Sequence, residues 1–353
     1  MNKILSIVGA RPQFIKSAPV SRALAQAGIQ EVLLHTGQHY DRTMSGVFFD
    51  ELGIREPEYN LGVGSGSHAS QTAAMLTGIE QVLLNEMPEA LLIYGDTNST
   101  LAGALAAAKL GIPIAHVEAG LRSNNRAMPE EINRVVSDCL STVLFCPTDV
   151  AAYNLEQQGI RNGVYVVGDV MYDAVLWAVE QTQDESVSIL AQLGVESERY
   201  LLATVHRASN TDDPRNLVAI LTALSASGEQ VVFPVHPRTH KAMHDAGIKL
   251  SDNIITVEPV SYLVMLALEK HARRIVTDSG GVQKEAFWFG VPCITVRDET
   301  EWVETVESGW NTLTGIVTQR ILAALTLPRP AGVPRQFYGD GQAAHKIARI
   351  LHG

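Results

Sequence analysis

The sequence has few cysteines, and this scarcity narrows the kinds of site it can form. Only three occur in 353 residues: Cys139, Cys146 and Cys293. They show neither paired spacing nor a metal-ligand pattern. We therefore expect a reducing compartment, buried packing roles for the thiols, and no disulfide.

Positive charge is also in short supply. Lys and Arg total 27 against 38 Asp and Glu, which gives a formal net charge of −11. Such a balance argues against a nucleic acid or an anionic membrane as partner. An anionic ligand would have to meet a local cluster of basic side chains.

Long apolar runs are missing as well. The stretch from Leu101 to Ala108 ends at Lys109, far short of the roughly 20 residues that cross a bilayer. At the N-terminus, Arg11 interrupts the apolar run before a signal-peptide core is complete. We expect a cytoplasmic protein without a membrane partner.

Length and periodicity indicate two α/β domains. A chain of 353 residues, 46% hydrophobic and 18% charged, is too long for one ordinary core. We predict a Rossmann-like domain at 1–170, a second at 171–335, and a C-terminal helix in 336–353 that crosses back onto the first. The polar segment 182–188 would lie at the crossover between them.

Short β-branched runs alternate with helical patterns, which is typical of parallel sheets covered by helices on both faces. The predicted strands are 4–8, 32–35, 90–94, 113–117, 143–145 and 164–167, then 200–205, 231–235, 253–257, 275–277 and 293–296. In such sheets ligands bind beyond the carboxyl ends of the strands. We expect a cleft between the two domains to hold the site.

The stretch TDSGGVQKEAFWFGVPC, 277–293, predicts strand, tight turn, helix and strand. Gly280 and Gly281 let the backbone approach a ligand, and the N–H groups of Val282 and Gln283 would offer an anion site at the helix start. A Gly-Gly pair alone could simply turn a βαβ corner. Ser279 before the pair and Glu285 after it favour a nucleotide, with phosphate on the turn and sugar hydroxyls on the carboxylate.

Two cations follow the first strand. Arg11 lies on the turn and Lys16 in the next helix, so both could meet phosphate. A solvated surface pair is an equally good explanation.

Three carboxylates occur at strand ends or helix starts: Asp96, Glu118 and Glu130. Helix capping explains any one of them, and Asp96 could cap the helix after Thr97. Two at neighbouring parallel strand ends are better explained by proton transfer, because carboxylates brought together raise one another's proton affinity. Nearby arginines at 122, 126 and 134 could moderate that repulsion.

Two histidines end strands in the second half, in His206-Arg207 and in His236-Pro237-Arg238. A single histidine there is usually structural, whereas two on consecutive strands favour ligand contact. The spacing of residues 236, 240 and 244 resembles a metal site, but Pro237 would interrupt that helix face. We expect no metal.

Taken together, the chain resembles the non-hydrolysing UDP-N-acetylglucosamine 2-epimerases, which have the GT-B architecture of two Rossmann-like domains around an active-site cleft. The motifs that carry the resemblance run from Gly9 to Gly341 in the order of the family: GARPQFIK, HTGQH, YGDTNSTLAGALAA, HVEAGLRS, PEEINR, VHRASNTDD, PVHPR, TDSGGVQKEA and YGDG. The resemblance implies an isomerase that eliminates UDP to give a 2-acetamidoglucal and adds it back with carbon 2 inverted.

The resemblance also implies roles for particular residues. Asp96, Glu118 and Glu130 would be the acid/base group, and His206 would meet the departing diphosphate. The other residues expected to bind the UDP-sugar are Arg11, Lys16, Arg207, His236, Pro259 to Met265 for uracil, Ser279, Gly280, Gly281, Glu285 for ribose, and Arg297. No cofactor is implied, and we expect a homodimer.

Some positions depart from the family pattern. Asp41 and Ser70 stand where members activated by a second UDP-N-acetylglucosamine have other residues, so effector activation is not expected. Three motifs, RPQFIK, MPEEINR and TEWVE (with Thr300-Glu301-Trp302), look closer to relatives that act on UDP-2,3-diacetamido-2,3-dideoxyglucuronate, an O-antigen precursor. The product would then be a manno epimer for surface polysaccharide.

Two other functions remain open from the sequence. A GT-B glycosyltransferase could use the same UDP site, and a non-catalytic sensor could bind a UDP-sugar without turnover. Neither would depend on all three carboxylates.

Overall fold

The computed structural model describes residues 1–37, 53–182 and 186–353. Asp41 lies outside these ranges. The chain divides into two compact units, unit 1 (Met1–Trp177 with Gln336–Gly353) and unit 2 (Ala178–Arg335).

Unit 1 is built on a seven-stranded sheet whose strands all pair in parallel. Its strands are β1 (Lys3–Val8), β2 (Gln30–His35), β3 (Tyr59–Asn60), β4 (Ala90–Tyr94), β5 (Ile114–Val117), β6 (Val143–Cys146) and β7 (Val164–Val166), in the spatial order β3-β2-β1-β4-β5-β6-β7. The central strands are almost wholly buried, as expected of a parallel sheet with both faces covered.

The described helices of unit 1 connect and cover these strands. They are α1 (Arg11–Gln26), α2 (His68–Glu86), α3 (Asn98–Leu110), α4 (Pro129–Leu140), α5 (Asp149–Gln157), α6 (Val170–Thr182) and, at the C-terminus, the last helix (Ala343–His352). The residues of α6 from Ala178 onward belong to unit 2. Thr97, not Asp96, caps α3, because the Thr97 hydroxyl accepts the N–H of Thr100. The suggestion that Asp96 is a capping residue was therefore wrong.

Unit 2 has the same α/β architecture, built on a six-stranded parallel sheet. Its strands are β8 (Leu201–Thr204), β9 (Val231–Pro234), β10 (Ile254–Val257), β11 (Arg274–Thr277), β12 (Cys293–Thr295) and β13 (Asn311–Leu313), in the order β10-β9-β8-β11-β12-β13. The helices are α7 (Ser186–Gln192), α8 (Ala208–Thr211), α9 (Pro214–Ala226), α10 (Pro237–Asp245), α11 (Tyr262–His271), α12 (Gly280–Trp288), α13 (Val303–Glu307) and α14 (Thr318–Leu325), so the last helix of unit 1 is α15.

The strand order of each sheet reverses direction once. In unit 1 the reversal lies between β1 and β4, and in unit 2 between β8 and β11. Such a switch point leaves a crevice beyond the carboxyl ends of the strands, where open α/β sheets bind ligands. The residues that follow β1, β4, β8 and β11 are therefore the candidates for ligand binding.

Helix α15 belongs to unit 1 and packs against α1. Asp173 of α6 accepts the N–H groups of Ala343 and Ala344 at 3.2 and 2.7 Å, at the start of α15. Burial raises the pKa of Asp173 to about 6, although these hydrogen bonds act in the opposite direction.

Two local predictions were wrong. Helix α12 begins at Gly280, two residues before the predicted start, and Pro237 opens α10 as its first residue instead of interrupting a helix. Ser186 to Ser188, which belong to the predicted crossover segment, form the first turn of α7. Within the described ranges, no helix is long and apolar enough to span a membrane.

Candidate active site

The switch point of unit 1 brings two carboxylates to neighbouring strand ends. Asp96 follows β4 and Glu118 follows β5, and these strands pair directly. Lys16, one turn into α1, forms a buried ion pair with Glu118, whose side chain is 7% exposed. Lys16 was predicted to face phosphate, and in this structure its ammonium group contacts a carboxylate 102 residues away.

Glu118 has an unusual backbone. Its φ is +69°, a left-handed conformation that costs a non-glycine residue of order 1–3 kcal/mol. The N–H groups of Glu118 and Ala119 both donate to the carbonyl of Phe145, at 3.1 Å each, and hold the bend in place. Strain of this kind concentrates at functional sites, so it marks Glu118 as a candidate.

Gly95 permits the close approach of the two turns. Its φ is +62°, and a Cβ at this position would lie 3.2 Å from Glu118 Oε2 and 3.5 Å from Lys16 Nζ. A side chain here would crowd the buried ion pair. The glycine of the YGD motif is therefore explained by both its backbone and its neighbours.

Asp96 is held from α4. The guanidinium of Arg134 donates to Asp96 Oδ2 at 2.5 Å and to Glu131 Oε2 at 2.8 Å. The amide of Asn133 donates to the carbonyl of Asp96 at 2.9 Å. The carboxylate stays partly accessible, at 29% exposure, as a proton carrier should.

Glu130 and Glu131 have different surroundings. Glu130, the predicted member of the acid/base group, is exposed in the first turn of α4. Glu131 is buried and accepts the Ser123 N–H and hydroxyl, both at 2.9 Å. Burial would raise the pKa of Glu131, but these bonds and the charge of Arg134 outweigh it and the pKa is lowered. The buried neighbour supports the loop, and the exposed one remains open to a ligand.

A third polar group lies beneath the two turns. His116 is fully buried in β5, with Nδ1 2.8 Å from Asp138 Oδ1 and Nε2 2.7 Å from the carbonyl oxygen of Gly95. Asp138 Oδ2 accepts the N–H of Gly120 at 3.1 Å and a guanidinium N–H of Arg122 at 2.7 Å. Arg122 is thus committed to Asp138 and does not moderate the charge of the predicted acid/base group.

The switch point of unit 2 is organised by Asp278, which is fully buried after β11. Its carboxylate accepts the N–H groups of His206 and Arg207 at about 3 Å, and the side-chain amide of Asn210 at 3.0 Å. The imidazole Nδ1 of His206 lies 3.5 Å from Asp278 Oδ1. The side chain of His206 is 40% exposed and can reach a ligand.

The Ser279-Gly280-Gly281 turn begins α12. The Ser279 hydroxyl accepts the N–H of Val282, and the Ser279 carbonyl accepts the N–H of Gln283. The two N–H groups predicted to bind an anion are therefore used within the helix. Among the described residues, the amides of Gly280 and Gly281 have no hydrogen-bond acceptor, so the anion site moves to the glycines themselves.

The predicted ribose and uracil residues lie on neighbouring helices. Glu285 is buried in α12 and accepts the hydroxyl of Tyr262, the first residue of α11, at 3.0 Å. Pro259 is exposed before α11, and Met265 packs partly against the buried core. A ribose hydroxyl on Glu285 would share the carboxylate with Tyr262.

The remaining predicted residues of unit 2 are distributed around the sheet. The rings of His206 and His236 lie 5.5 Å apart at consecutive strand ends, and the Nδ1 of His236 accepts the N–H of Arg238. Arg297 forms a buried two-point pair with Glu301, at 3.2 Å for both contacts. The His236 side chain caps α10, whereas Arg207 stands at the N-cap position of α8 without a side-chain cap hydrogen bond. Ligand contact for both stays a prediction.

Two further questions concern Arg11 and metals. Arg11 begins α1, but its side chain lies outside the described part of the structure. Within the described ranges, no group of three or more His, Cys, Asp or Glu residues is placed to hold a metal ion.

Sequence reasoning missed three arrangements. They are the ion pair Lys16–Glu118, the network of His116 with Asp138, and the stacking of Lys284 over the ring of Trp302 at 4.0 Å. The sequence did contain a sign of the His116 network, because a histidine within the apolar strand Ile114–Val117 is expected to be buried and to need hydrogen-bond partners.

The comparisons with known proteins agree with this geometry. Residues 22–352 match the sequence profile of the UDP-N-acetylglucosamine 2-epimerase family. A UDP-N-acetylglucosamine 2-epimerase homolog of Methanococcus maripaludis is 52% identical, with 99% of each chain covered. The UDP-2,3-diacetamido-2,3-dideoxy-D-glucuronate 2-epimerase of Pseudomonas aeruginosa is 48% identical, also over 99% of each chain.

Solved structures give the same result. The crystal structure of Methanocaldococcus jannaschii UDP-GlcNAc 2-epimerase in complex with UDP-GlcNAc and UDP is 42% identical, covers 99% of each chain and superposes with a TM-score of 0.92. The predicted fold class, α/β with two Rossmann-like sheets of the GT-B type, is confirmed. The chain belongs to the non-hydrolysing UDP-N-acetylglucosamine 2-epimerase family, and it is an isomerase of UDP-HexNAc sugars.

Proposed function

We propose that the enzyme inverts carbon 2 of its UDP-HexNAc by eliminating UDP to a 2-acetamidoglucal and adding it back with carbon 2 protonated on the other face. The observation that carries this proposal is the pair Asp96 and Glu118 at adjacent strand ends, with Glu118 held in a strained backbone. Two carboxylates at the carboxyl ends of paired strands suit a reaction that removes and returns a proton.

Lys16 and Arg134 reduce the repulsion between the two carboxylates. Each carboxylate contacts its own cation, Glu118 with Lys16 and Asp96 with Arg134, so they lie at neighbouring strand ends with less mutual repulsion. Glu130, exposed nearby in sequence, completes the proposed acid/base group.

Unit 2 would hold the leaving group. Carbon 2 is not acidified by a neighbouring carbonyl, so stabilisation of departing UDP must supply much of the catalysis. The amides of Gly280 and Gly281 would donate to the diphosphate. His206 is partly exposed after β8, the strand that pairs with β11 ahead of the two glycines. Glu285 would bind the ribose, and the segment from Pro259 to Met265 the uracil.

The remaining binding roles belong to the same proposal. We assign Arg11, Lys16, Arg207, His236 and Arg297 to the UDP-sugar, and we regard units 1 and 2 as the catalytic and UDP-binding domains. We further propose a homodimer, which sedimentation would test.

For the donor, we propose UDP-2,3-diacetamido-2,3-dideoxyglucuronate, and UDP-N-acetylglucosamine is the runner-up. The TEW segment supports the first, as does 48% identity to the Pseudomonas enzyme that is named for this sugar. The product would be the manno epimer, for surface polysaccharide. Both donors should be assayed side by side, with products identified by NMR. A kcat/KM at least 10-fold higher for UDP-N-acetylglucosamine would overturn this choice.

The same assay separates the other two functions. A glycosyltransferase would transfer the sugar to an acceptor and leave the free donor unchanged. A sensor would bind the donor without any turnover. Either result would overturn the proposed reaction.

We also propose that no second UDP-sugar activates the enzyme. Ser70 lies near the start of α2, where its N–H donates to the hydroxyl of the capping Ser67 at 3.3 Å. A serine at this position carries no positive charge for a second diphosphate. Initial rates should follow a hyperbola, and added UDP-N-acetylglucosamine should not raise them. Sigmoidal rates would contradict this.

A further inference from the structure

We propose that His116 is a positioning residue for the epimerisation, because it ties the two carboxylate-bearing turns of unit 1 to one buried hydrogen-bond network. This inference rests on the proposed function in assigning proton transfer to Asp96 and Glu118. His116 itself touches neither carboxylate in a hydrogen bond. Its ring lies in the middle of β5, with no exposed surface.

The hydrogen-bond pattern fixes the ring. The carbonyl of Gly95, 2.7 Å from Nε2, can only accept. Asp138 lies 2.8 Å from Nδ1. Burial would raise the pKa of Asp138, but the hydrogen bond with His116 and the charge of Arg122 outweigh it, so the pKa is lowered. Because a carbonyl can only accept, Nε2 of His116 donates to Gly95, and Nδ1 faces the Asp138 carboxylate.

These two bonds reach both turns. Gly95 is the residue between β4 and Asp96, so the bond from Nε2 sets where the Asp96 turn leaves the sheet. On the other side, Asp138 accepts the N–H of Gly120, two residues after Glu118, at 3.1 Å. The network therefore sets the separation of the carboxylates, although it supplies no reacting group.

Removing the network leaves buried acceptors unsatisfied, and the turns would shift to find new donors. A displacement of 1 Å at a reacting group can lower a rate about 100-fold. A misplaced carboxylate would also reprotonate the glycal more slowly. More of the intermediate would then escape for each epimer formed.

The experiment uses three variants of the full chain. His116→Phe keeps a ring and removes both polar contacts, whereas His116→Gln keeps an amide group that can still donate a hydrogen bond. Ile114→Val is the matched control, since Ile114 is buried in the same strand but packs into the apolar core. The measurements are kcat, the ratio of free 2-acetamidoglucal to epimer, and UDP affinity by calorimetry.

We expect His116→Phe to lower kcat about 100-fold, to raise the glycal ratio and to leave UDP affinity within about 2-fold. His116→Gln should fall between this variant and the wild type. Ile114→Val should lower the melting temperature and leave the glycal ratio unchanged. The ratio of glycal to epimer distinguishes a positioning role from a loss of folded protein, because it does not depend on the fraction of protein that is folded.

A glycal ratio that stays at the wild-type value in His116→Phe would overturn the inference, even if kcat falls. If that variant does not fold, the ratio in His116→Gln decides in the same way. A wild-type enzyme that epimerises no UDP-HexNAc would instead refute the proposed function, and the positioning role with it. Wild-type turnover, loss of turnover in Asp96→Asn and a normal ratio in both His116 variants would refute the positioning role alone.

Discussion

At the scale of single residues, the site combines partly accessible carboxylates with buried groups that fix them. Asp96 keeps 29% of its side chain exposed while Arg134 holds one of its oxygens. Glu118 is buried with Lys16 and bent into a left-handed backbone. A buried pair of this kind contributes little net stability, because desolvation offsets the attraction, so its value lies in orientation.

The role of Asp96 is tested by Asp96→Asn. The amide preserves size and can still accept from Arg134, but it cannot carry a proton. We expect kcat to fall by about 10²–10⁴-fold, the usual contribution of a general acid or base. UDP affinity, measured by calorimetry, should not change, because Asp96 is not among the residues proposed to bind the diphosphate.

Asp149→Asn is the control, since Asp149 is an exposed carboxylate in the first turn of α5. It should keep wild-type kinetics. If Asp96→Asn lost UDP affinity together with turnover, Asp96 would be a structural residue.

The close approach at Gly95 is tested by Gly95→Ala against Gly111→Ala. Both glycines have positive φ, +62° and +69°, so both alanines strain the backbone by about 1 kcal/mol. Only at Gly95 does the new methyl group meet Glu118 and Lys16, whereas nothing lies within 4 Å of the Cβ at Gly111.

We therefore expect similar losses of melting temperature in the two variants, and a fall of at least 10-fold in kcat for Gly95→Ala alone. Thermal melts and steady-state kinetics measure the two effects. Equal kcat in both variants would show that the Gly95 contact does not matter for catalysis.

At the scale of helices and strands, sequence patterns predicted the central strands and missed the two short edge strands β3 and β13. Runs such as Ala90–Tyr94 are continuous and apolar, so their burial was readable. The edge strands Tyr59–Asn60 and Asn311–Leu313 have two and three residues, and a pattern that short carries no periodicity.

Candidate site residues with local sequence features were predictable, whereas contacts between residues distant in sequence were not. Asp96, Glu118 and His206 could be proposed as site residues because each follows a predicted strand, which is a local property. The partner of Glu118 could not be identified in this way, since Lys16 is 102 residues distant and nothing local links them. The structural role of Glu131 was not predicted, because burial within one helical turn depends on the packed structure.

Element packing also gives a prediction about pH. The pKa of Asp173 is about 6 in the folded protein against 3.8 for a free side chain, which corresponds to about 3 kcal/mol. Since the folded pKa is the higher one, this contribution to stability is present below about pH 4 and is lost as the pH rises through 6. Asp173→Asn lacks this titration, so its stability relative to wild type should increase between pH 4 and pH 7 in urea melts.

Asp213→Asn gives a control of opposite sign. Asp213 caps α9, and its hydrogen bonds with Arg215 lower its pKa, so its contribution is lost as the pH falls below about 4. A wild-type minus Asp173→Asn difference that did not vary with pH would show that the carboxylate is not perturbed by burial.

At the scale of the whole molecule, the first six strands of the unit 1 sheet follow the same order as the six strands of unit 2, and each sheet has one switch point. In the proposed reaction, unit 1 carries the acid/base carboxylates and unit 2 carries the donors to the diphosphate. With a net charge of −11, a phosphate ligand needs local donors, and the amides of Gly280 and Gly281 are proposed as such donors.

In the proposed reaction the carbon 2 proton is removed and replaced while UDP is detached. Turnover of the UDP-HexNAc in heavy water, followed by NMR of carbon 2, tests this step directly. Each epimer formed should carry one deuterium at carbon 2. Epimer formed without deuterium at that carbon would contradict the proposed reaction.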